Sequence, residues 1–178
     1  MIRLFTALEI PPDIGETLAR RQQGLPGARW RPGEALHITL AFYGEVTEPV
    51  ADDLDAELAR VRGAPFELSL KGVGAFGDDW RTRAIWAGVA DSEPLTILAG
   101  RCASAGRRAG IELPRRDYRP HVTLAYLKPQ ADPARVGAWV TGHNLLASPP
   151  FRIDRFGLYS STLGGQGSAY QLERSYPL

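Results

Sequence analysis

A chain of 178 residues is long enough to fold as one domain, or as two small lobes that share one core. Its hydrophobic content of 44% is ordinary for a globular protein, and its charged residues, 23% of the chain and of both signs, argue against disorder. A net charge of +1 argues against a long electrostatic track for polymeric nucleic acid, because such affinity grows with the number of phosphates neutralised. A single nucleotide end can still be held.

The single cysteine and the short apolar start of the chain bear on where the protein works. Cys102 has no partner for a disulfide, which fits a reducing compartment, and we expect it to be a small buried side chain on a helix. The apolar stretch at 2–8 is stopped by Pro11-Pro12 and is too short for a signal peptide or a membrane span. These features predict a cytoplasmic protein without membrane association, with a monomer as the default state.

Apolar periodicity and turn residues predict alternating strands and helices along the whole chain. In the first half we expect a strand at 2–9, a helix at 13–23, a strand at 36–43, a helix at 49–63 and strands at 66–73 and 83–90. In the second half we expect a helix at 94–108, a strand at 118–127, a short helix from 133, and a hairpin that pairs 151–159 with 168–174 across the loop 163–167. The two halves therefore follow a similar plan.

A six-residue phrase occurs twice, as His37-Ile38-Thr39-Leu40-Ala41-Phe42 and as His121-Val122-Thr123-Leu124-Ala125-Tyr126, 84 residues apart. Both copies alternate polar and apolar residues, which is typical of a half-buried strand. Residues two apart share one face of a strand, so each histidine points the same way as the threonine that follows it. On this basis the small Ala41 and Ala125 come next along each face, which leaves room for a substrate.

The match between the two halves extends beyond the repeated phrase. Phe66-Glu67-Leu68 aligns with Phe151-Arg152-Ile153, and Ile85-Trp86 aligns with Ala169-Tyr170, at offsets of 85 and 84. A nearly constant offset indicates a duplicated strand–helix–hairpin unit, with approximate copies at 28–90 and 112–174. We therefore predict an α+β fold in which a single bilobal domain, 1–178, has two antiparallel sheets that flank a central cleft and are related by a pseudo-two-fold axis.

Two histidines that meet across a cleft can act together on one phosphorus atom. Imidazole titrates near pH ~6.5, so one ring can take a proton from water while the other gives one to the departing oxygen. The hydroxyls of Thr39 and Thr123 can donate hydrogen bonds to the non-bridging oxygens. We therefore name His37 and His121 as candidate catalytic residues and the two threonines as candidate phosphate ligands. A lone His-x-Thr strand would carry little weight, and we expect the third histidine, His143, to be a loop residue.

Other common site types are missing from the sequence. It contains neither His-Glu-x-x-His nor Cys-x-x-Cys, and the acidic pairs Asp52-Asp53 and Asp78-Asp79 are better explained as surface charges. No glycine-rich loop has the spacing of a P-loop, so ATP is not implied. We expect no metal and no cofactor.

Taken together, these residues resemble the 2H phosphoesterase superfamily. The chain is more closely similar to the bacterial and archaeal RNA 2′,3′-cyclic phosphodiesterases, also called 2′-5′ RNA ligases. The segments that carry the likeness are Arg3–Leu8, Arg29-Trp30, Leu36–Leu40, Phe66-Glu67-Leu68, Gly72-Val73-Gly74, Arg119–Ala125 and Tyr159-Ser160-Ser161.

The resemblance implies metal-independent hydrolysis of 2′,3′-cyclic phosphates, on RNA ends or on nucleosides, to 2′-phosphates. It also implies a weak reverse ligation that forms 2′-5′ bonds. By the same resemblance His37 protonates the leaving 3′ oxygen and His121 activates water, two assignments that the symmetry of the motif leaves open.

One position departs from the family's pattern. The family has an arginine phosphate ligand five residues after the second histidine, where this chain has Tyr126. Arg119, two residues before His121 and so on the same face, or Lys128 can supply the missing charge. Tyr126 and its counterpart Phe42 can instead stack on a base, or both can pack in the cores of their lobes.

Two other functions stay open at this point. The altered position 126 is compatible with a module that binds a nucleotide or an RNA end with little turnover. An enzyme with the same chemistry and another substrate, such as ADP-ribose 1″,2″-cyclic phosphate or a 3′-terminal uridine tail, is a further alternative. The intact threonines in both motifs favour an enzyme, because binding alone does not need a matched acid–base pair.

Overall fold

The computed structural model describes residues 1–78, 81–114, 117–164 and 167–178 of the chain. Its helices are α1 (Pro12–Ala19), α2 (Glu48–Leu58), α3 (Glu93–Arg108) and α4 (Pro133–His143). Its strands are β1 (Ile2–Glu9), β2 (Ala28–Trp30), β3 (His37–Val46), β4 (Phe66–Leu68), β5 (Leu70–Asp78), β6 (Arg81–Val89), β7 (His121–Leu127), β8 (Phe151–Ile153), β9 (Arg155–Gly164) and β10 (Gly167–Pro177). Within the described ranges, no helix is long and apolar enough to cross a membrane.

Most of the predicted elements are present, with different ends. The helix α1 stops at Ala19, earlier than expected, and α2 is likewise shorter. The strand β3 continues past Gly44 to Val46, so Gly44 does not end it. Its pairing with β1 is irregular between Phe42 and Gly44, and Gly44 has a φ of 74°, which glycine adopts without strain. The expected hairpin tip at 165–166 and the acidic Asp79 lie outside the described residues.

One antiparallel sheet has the strand order β10-β9-β1-β3-β7-β6-β5, and β2 also pairs with β7. The short strands β4 and β8 form a separate ladder. Together with the helices, these sheets confirm the predicted α+β class with antiparallel strands. The prediction of a separate sheet in each lobe is wrong, because one sheet contains strands from both halves. The motif strands β3 and β7 lie side by side and pair through Ile38 and Val122, which joins the two halves into one sheet.

The two places where the halves pair have the register expected of a pseudo-two-fold axis. Ile38 pairs with Val122, its own counterpart in the repeat. In the β4–β8 ladder Glu67 pairs with its counterpart Arg152. The pairs on either side of it, Phe66–Ile153 and Leu68–Phe151, are equivalent to each other under the repeat. The hairpin of each repeat also adds to the other side of the sheet, β5–β6 beside β7 and β9–β10 beyond β3 and β1. These registers support the duplication, which stays a prediction, as does the single bilobal domain.

The core fixes which face of each motif strand stays open. The helix α3 packs against β3, and α2 packs against α3. Ile38 and Leu40 of β3 and Val122 and Leu124 of β7 are all 4% exposed or less. Burying each such side chain stabilises the fold by about 1.5–3 kcal/mol, so a change of face would be costly. Cys102 of α3 is fully buried, as predicted.

Candidate active site

Both motif strands carry the same β-bulge. On β3, Thr39 and Ala41 pair with consecutive residues of β1, so β3 has one extra residue between them. On β7, Thr123 and Ala125 pair in the same way with consecutive residues of β6. Because a bulge inserts one residue, it reverses the alternation of side chains beyond it.

The bulge changes which side chains follow the histidines and threonines along the open face. Ala41 and Ala125, which we expected there, are buried, with exposures of 8% and 0%. Phe42 and Tyr126 lie on the open face instead and are 47% and 41% exposed. The alternative that both rings pack in the cores is therefore wrong, and both rings are accessible to a ligand.

The open faces of the two motif strands line one cavity of about 220 Å³. It brings together all six exposed or half-buried residues of the repeated phrase, namely His37, Thr39, Phe42, His121, Thr123 and Tyr126. Among the described residues, its wall also includes several that we did not name as site residues from the sequence: Arg3, Phe5, Arg31, Ala35, Ser161, Ser168 and Tyr170. Two strands that are distant in the chain thus share one site.

Each histidine is held by the same kind of hydrogen bond. The Nδ1 atom of His37 lies 2.9 Å from the carbonyl oxygen of Ala35, and the Nδ1 atom of His121 lies 2.7 Å from that of Arg119. A carbonyl oxygen can only accept, so Nδ1–H is the donor in both bonds. In the neutral ring this leaves Nε2 as a free acceptor, ready to take a proton from a ligand.

Aromatic rings on both sides fix the orientation of the two imidazoles. The ring of His37 lies 5.1 Å from Phe5 and 5.0 Å from Tyr170, between centroids. The ring of His121 lies 4.7 Å from Phe76 and 6.3 Å from Trp86. Tyr170 and Trp86 are counterparts in the repeat, so each half supplies a ring that contacts the histidine of the other half.

The two histidines do not have the same electrostatic environment. Burial lowers the pKa of His37 from 6.5 to about 4, and the positive charge of Arg31 and the proximity of His121 act in the same direction. The hydrogen bond to Ala35 opposes this shift only in part. In the free protein His37 is therefore neutral at pH 7.

This pKa shift makes the stability of the fold depend on pH. Between pH 6.5 and about 4 the unfolded chain protonates His37 and the folded chain does not, so stability falls as the pH is lowered through this range. We expect the free energy of unfolding of the wild type, relative to that of His37→Gln, to drop by up to roughly 3 kcal/mol between these limits. Urea unfolding of both proteins across the range measures this, and a difference that does not change with pH would contradict it.

The threonine hydroxyls are available to a ligand. Thr39 and Thr123 are half-buried and line the cavity, and neither hydroxyl has a hydrogen-bond partner in the part of the chain that the structure describes. A hydroxyl in a partly enclosed site is best satisfied by an acceptor, because an unmet donor costs free energy when water is excluded. The phosphate oxygens of a bound ligand are suitable acceptors.

Arg31 lines the cavity together with Arg3, and its charge acts on His37; the sequence did not point to it. Arg31 directly follows β2, and its backbone N–H donates to the carbonyl of Leu124, which holds it beside β7. The strand β2 has only three residues, too few for its alternation to be recognised in the sequence. The sequence pattern therefore does not predict that Arg31 lies near the motif strands. Of the charges named from the sequence, Arg119 is exposed and lines a neighbouring groove that shares Thr39, Phe42 and His121 with the cavity. Lys128 is exposed at a separate surface pocket.

The third histidine is not part of this site. His143 is the last residue of α4 rather than a loop residue, and its ring stacks on Trp139 with centroids 4.1 Å apart. Among the residues that the structure describes, no three His, Cys, Asp or Glu side chains group in a way that could hold a metal ion.

Comparison with known proteins gives consistent matches along the chain. The 2′-5′ RNA ligase superfamily matches residues 10–165. An RNA 2′,3′-cyclic phosphodiesterase of Archaeoglobus fulgidus is 32% identical over 130 residues, which cover 71% of this chain and 73% of the relative. Proteins of the same name from Escherichia coli K12 and Thermotoga maritima are 35% and 29% identical, over 68% and 96% of this chain and 70% and 92% of their own lengths.

Solved structures match over nearly the whole chain. E. coli LigT complexed with 3′-AMP has a TM-score of 0.81 and 25% identity, and the match covers 99% of this chain and 98% of LigT. A second crystal structure, of a phosphoesterase, has a TM-score of 0.81 and 25% identity, covering 100% of this chain and 99% of the other. LigT has also been solved with ATP and with NADP+.

Proposed function

This chain belongs to the 2′-5′ RNA ligase superfamily, and on that premise we propose that it hydrolyses the 2′,3′-cyclic phosphate ends of RNA to 2′-phosphates. The observation that carries the proposal is the cavity lined by two oriented imidazoles and by two threonine hydroxyls that have no hydrogen-bond partner among the described residues. Relatives that are 29–35% identical and named RNA 2′,3′-cyclic phosphodiesterase support the choice of substrate.

The proposed reaction is an in-line displacement at phosphorus. The Nε2 atom of one histidine removes a proton from water as the water oxygen attacks the phosphorus atom. The bond from phosphorus to the 3′ oxygen breaks, and the other histidine gives its proton to that oxygen. The product has a 2′-phosphate and a free 3′-hydroxyl. Thr39 and Thr123 donate hydrogen bonds to the non-bridging oxygens, where negative charge increases in the transition state.

We assign the proton donor to His37 and the base to His121, as the family resemblance implies. Since His37 is neutral in the free protein at pH 7, it must gain its proton when the anionic substrate binds. A bound phosphate favours this uptake, because its negative charge opposes the effect of Arg31 on His37. Substrate binding would then supply the proton that His37 gives to the leaving oxygen.

The same site can carry the reverse ligation. If a 5′-hydroxyl of a second RNA takes the place of water, the same bond to the 3′ oxygen breaks and a 2′-5′ phosphodiester forms. Because water is far more abundant than RNA ends, we expect hydrolysis to dominate in dilute solution.

The proposal is tested with an RNA oligonucleotide that ends in a 2′,3′-cyclic phosphate. In the presence of EDTA we expect it to be converted into a product with the phosphate on the 2′ oxygen, identified by mass spectrometry and nuclease digestion against synthetic 2′- and 3′-phosphate standards. A 3′-phosphate product, or loss of activity on chelation, would contradict the proposed reaction. Tight binding of the cyclic end without any consumption at high protein concentration would instead favour a binding module.

The substrate alternatives are separated by a parallel assay. ADP-ribose 1″,2″-cyclic phosphate and an RNA with a 3′-terminal uridine tail are offered at the same concentration as the cyclic-phosphate RNA. We expect kcat/KM to be highest for the cyclic-phosphate RNA, and a higher value for either competitor would reassign the substrate.

A further inference from the structure

We propose that Arg31, which reaches the cavity from the end of β2, is the cation that binds the substrate's phosphate anion, beside the two threonine hydroxyls. This inference rests on the proposed function, since it concerns the same cavity. The positive charge that binds the phosphate would then come from a residue outside both copies of the repeated phrase.

The burial and the hydrogen bonding of Arg31 suit it to bind an anionic ligand. Arg31 is only 8% exposed. Within the described part of the chain, its guanidinium donates one long hydrogen bond, 3.4 Å from Nη2 to the carbonyl oxygen of Ser168, and it has no carboxylate partner. A guanidinium has five N–H donors, and a buried charge without a counterion is unfavourable. An anionic ligand in the cavity would satisfy both the charge and the remaining donors.

Two aromatic rings hold the guanidinium in place. Its Cζ atom lies 5.7 Å from the centroid of the Tyr126 ring and 5.3 Å from that of Tyr170. Tyr170 also contacts the ring of His37. Contacts with ring faces leave the edge of a guanidinium, which carries its N–H groups, available for bidentate binding of a phosphate. The charge is thus held next to the histidine that acts on the phosphate.

The other cations near the site are less suited to this role. Arg119 is exposed and lines the neighbouring groove rather than the cavity between the histidines. Arg3 does line the cavity, with its Cζ atom 5.0 Å from the centroid of the Phe42 ring, but it is more exposed than Arg31 and is not among the charges that shift the pKa of His37. Of these three arginines, Arg31 is the most buried and is the one whose charge acts on His37.

The test compares two ligands that differ only by a phosphate, adenosine and adenosine 2′-monophosphate, on the wild type and on Arg31→Met. We expect Arg31→Met to bind the nucleotide about 10- to 100-fold more weakly, which is the worth of charged hydrogen bonds. Its affinity for adenosine, measured by NMR titration, should change less than about twofold. Arg29→Met is the matched control, since Arg29 is an exposed arginine of β2 that does not line the cavity.

The outcomes separate this inference from the proposed function. If Arg31→Met binds the nucleotide as well as the wild type does, Arg31 is not the phosphate ligand, and RNA hydrolysis by the wild type is unaffected by that result. An equal loss of affinity for adenosine and for the nucleotide would also overturn the inference, because it would indicate a structural role. If Arg31→Met fails to fold, Arg31→Lys repeats the comparison: it keeps the charge but loses the bidentate geometry, and we expect a smaller loss confined to the nucleotide.

Discussion

Replacement of either cleft histidine by alanine is expected to lower kcat/KM for cyclic-phosphate RNA by about 10²- to 10⁴-fold, the usual contribution of a general acid or base. Each imidazole makes one hydrogen bond to a neighbouring carbonyl and lies at the wall of a cavity, so its loss leaves the core intact. Steady-state kinetics measure the effect, and near-ultraviolet circular dichroism confirms the fold. His143→Ala, which alters a histidine on α4, is the matched control and should retain the wild-type rate.

A substrate with a good leaving group distinguishes the two roles. A 3′-deoxynucleoside 2′-(4-nitrophenyl phosphate) keeps its phosphate on the 2′ oxygen and releases, in place of the 3′ oxygen, a weakly basic phenolate that needs no proton. If His37 is the donor, His37→Ala should lose little activity on this substrate, whereas His121→Ala should remain impaired on both substrates. The opposite pattern would exchange the assignments, and near wild-type turnover of cyclic-phosphate RNA by either variant would remove that histidine from the mechanism.

The sequence predicted the parts of the site that depend on the regular alternation of a strand. His37 and Thr39 face the cavity together because they are two residues apart, and the repeat at His121 and Thr123 indicated that a second strand would do the same. The alternation of buried Ile38 between them follows from the same rule. These inferences needed only local information.

The sequence did not predict the bulges, and so it misplaced the residues beyond them. An alternating pattern gives no sign that one residue is inserted between Thr39 and Ala41, since the extra residue is defined by pairing with β1. For that reason the sequence predicts Ala41 in the cavity and allows Phe42 to pack in the core. In the structure Ala41 is buried and Phe42 is exposed on the cavity side. The bulge is a long-range property of two strands.

Long-range pairing also explains the remaining differences. The two predicted sheets are one because Ile38 meets Val122, and a single pair of residues leaves no pattern in the chain. Arg31 reaches the cavity because the three-residue strand β2 pairs with β7, and such a short segment has no readable period. Both features depend on residues that are close in space and distant in sequence.

The second large effect is expected from the threonine hydroxyls. Thr39→Val and Thr123→Val should each lower kcat by about 10²- to 10³-fold, which is the usual cost of removing one donor to a developing negative charge. Valine has nearly the same shape and the same preference for strands, so β3 and β7 should be undisturbed. Steady-state kinetics on cyclic-phosphate RNA will show whether the loss is in kcat rather than in KM, as expected for a hydrogen bond that strengthens in the transition state.

Serine at the same positions is the matched control, because it restores the hydroxyl and removes only a methyl group. Thr39→Ser and Thr123→Ser should stay within about tenfold of the wild type, since the donor is present but its rotamer is less restricted. If the valine and serine variants lose activity equally, the threonines act through packing and not as donors. If the valine variants alone lose activity, and do so in kcat, both halves of the cavity must present a hydroxyl to the same phosphate during the reaction. Such a requirement would explain why the threonine and the histidine occur together in each copy of the phrase.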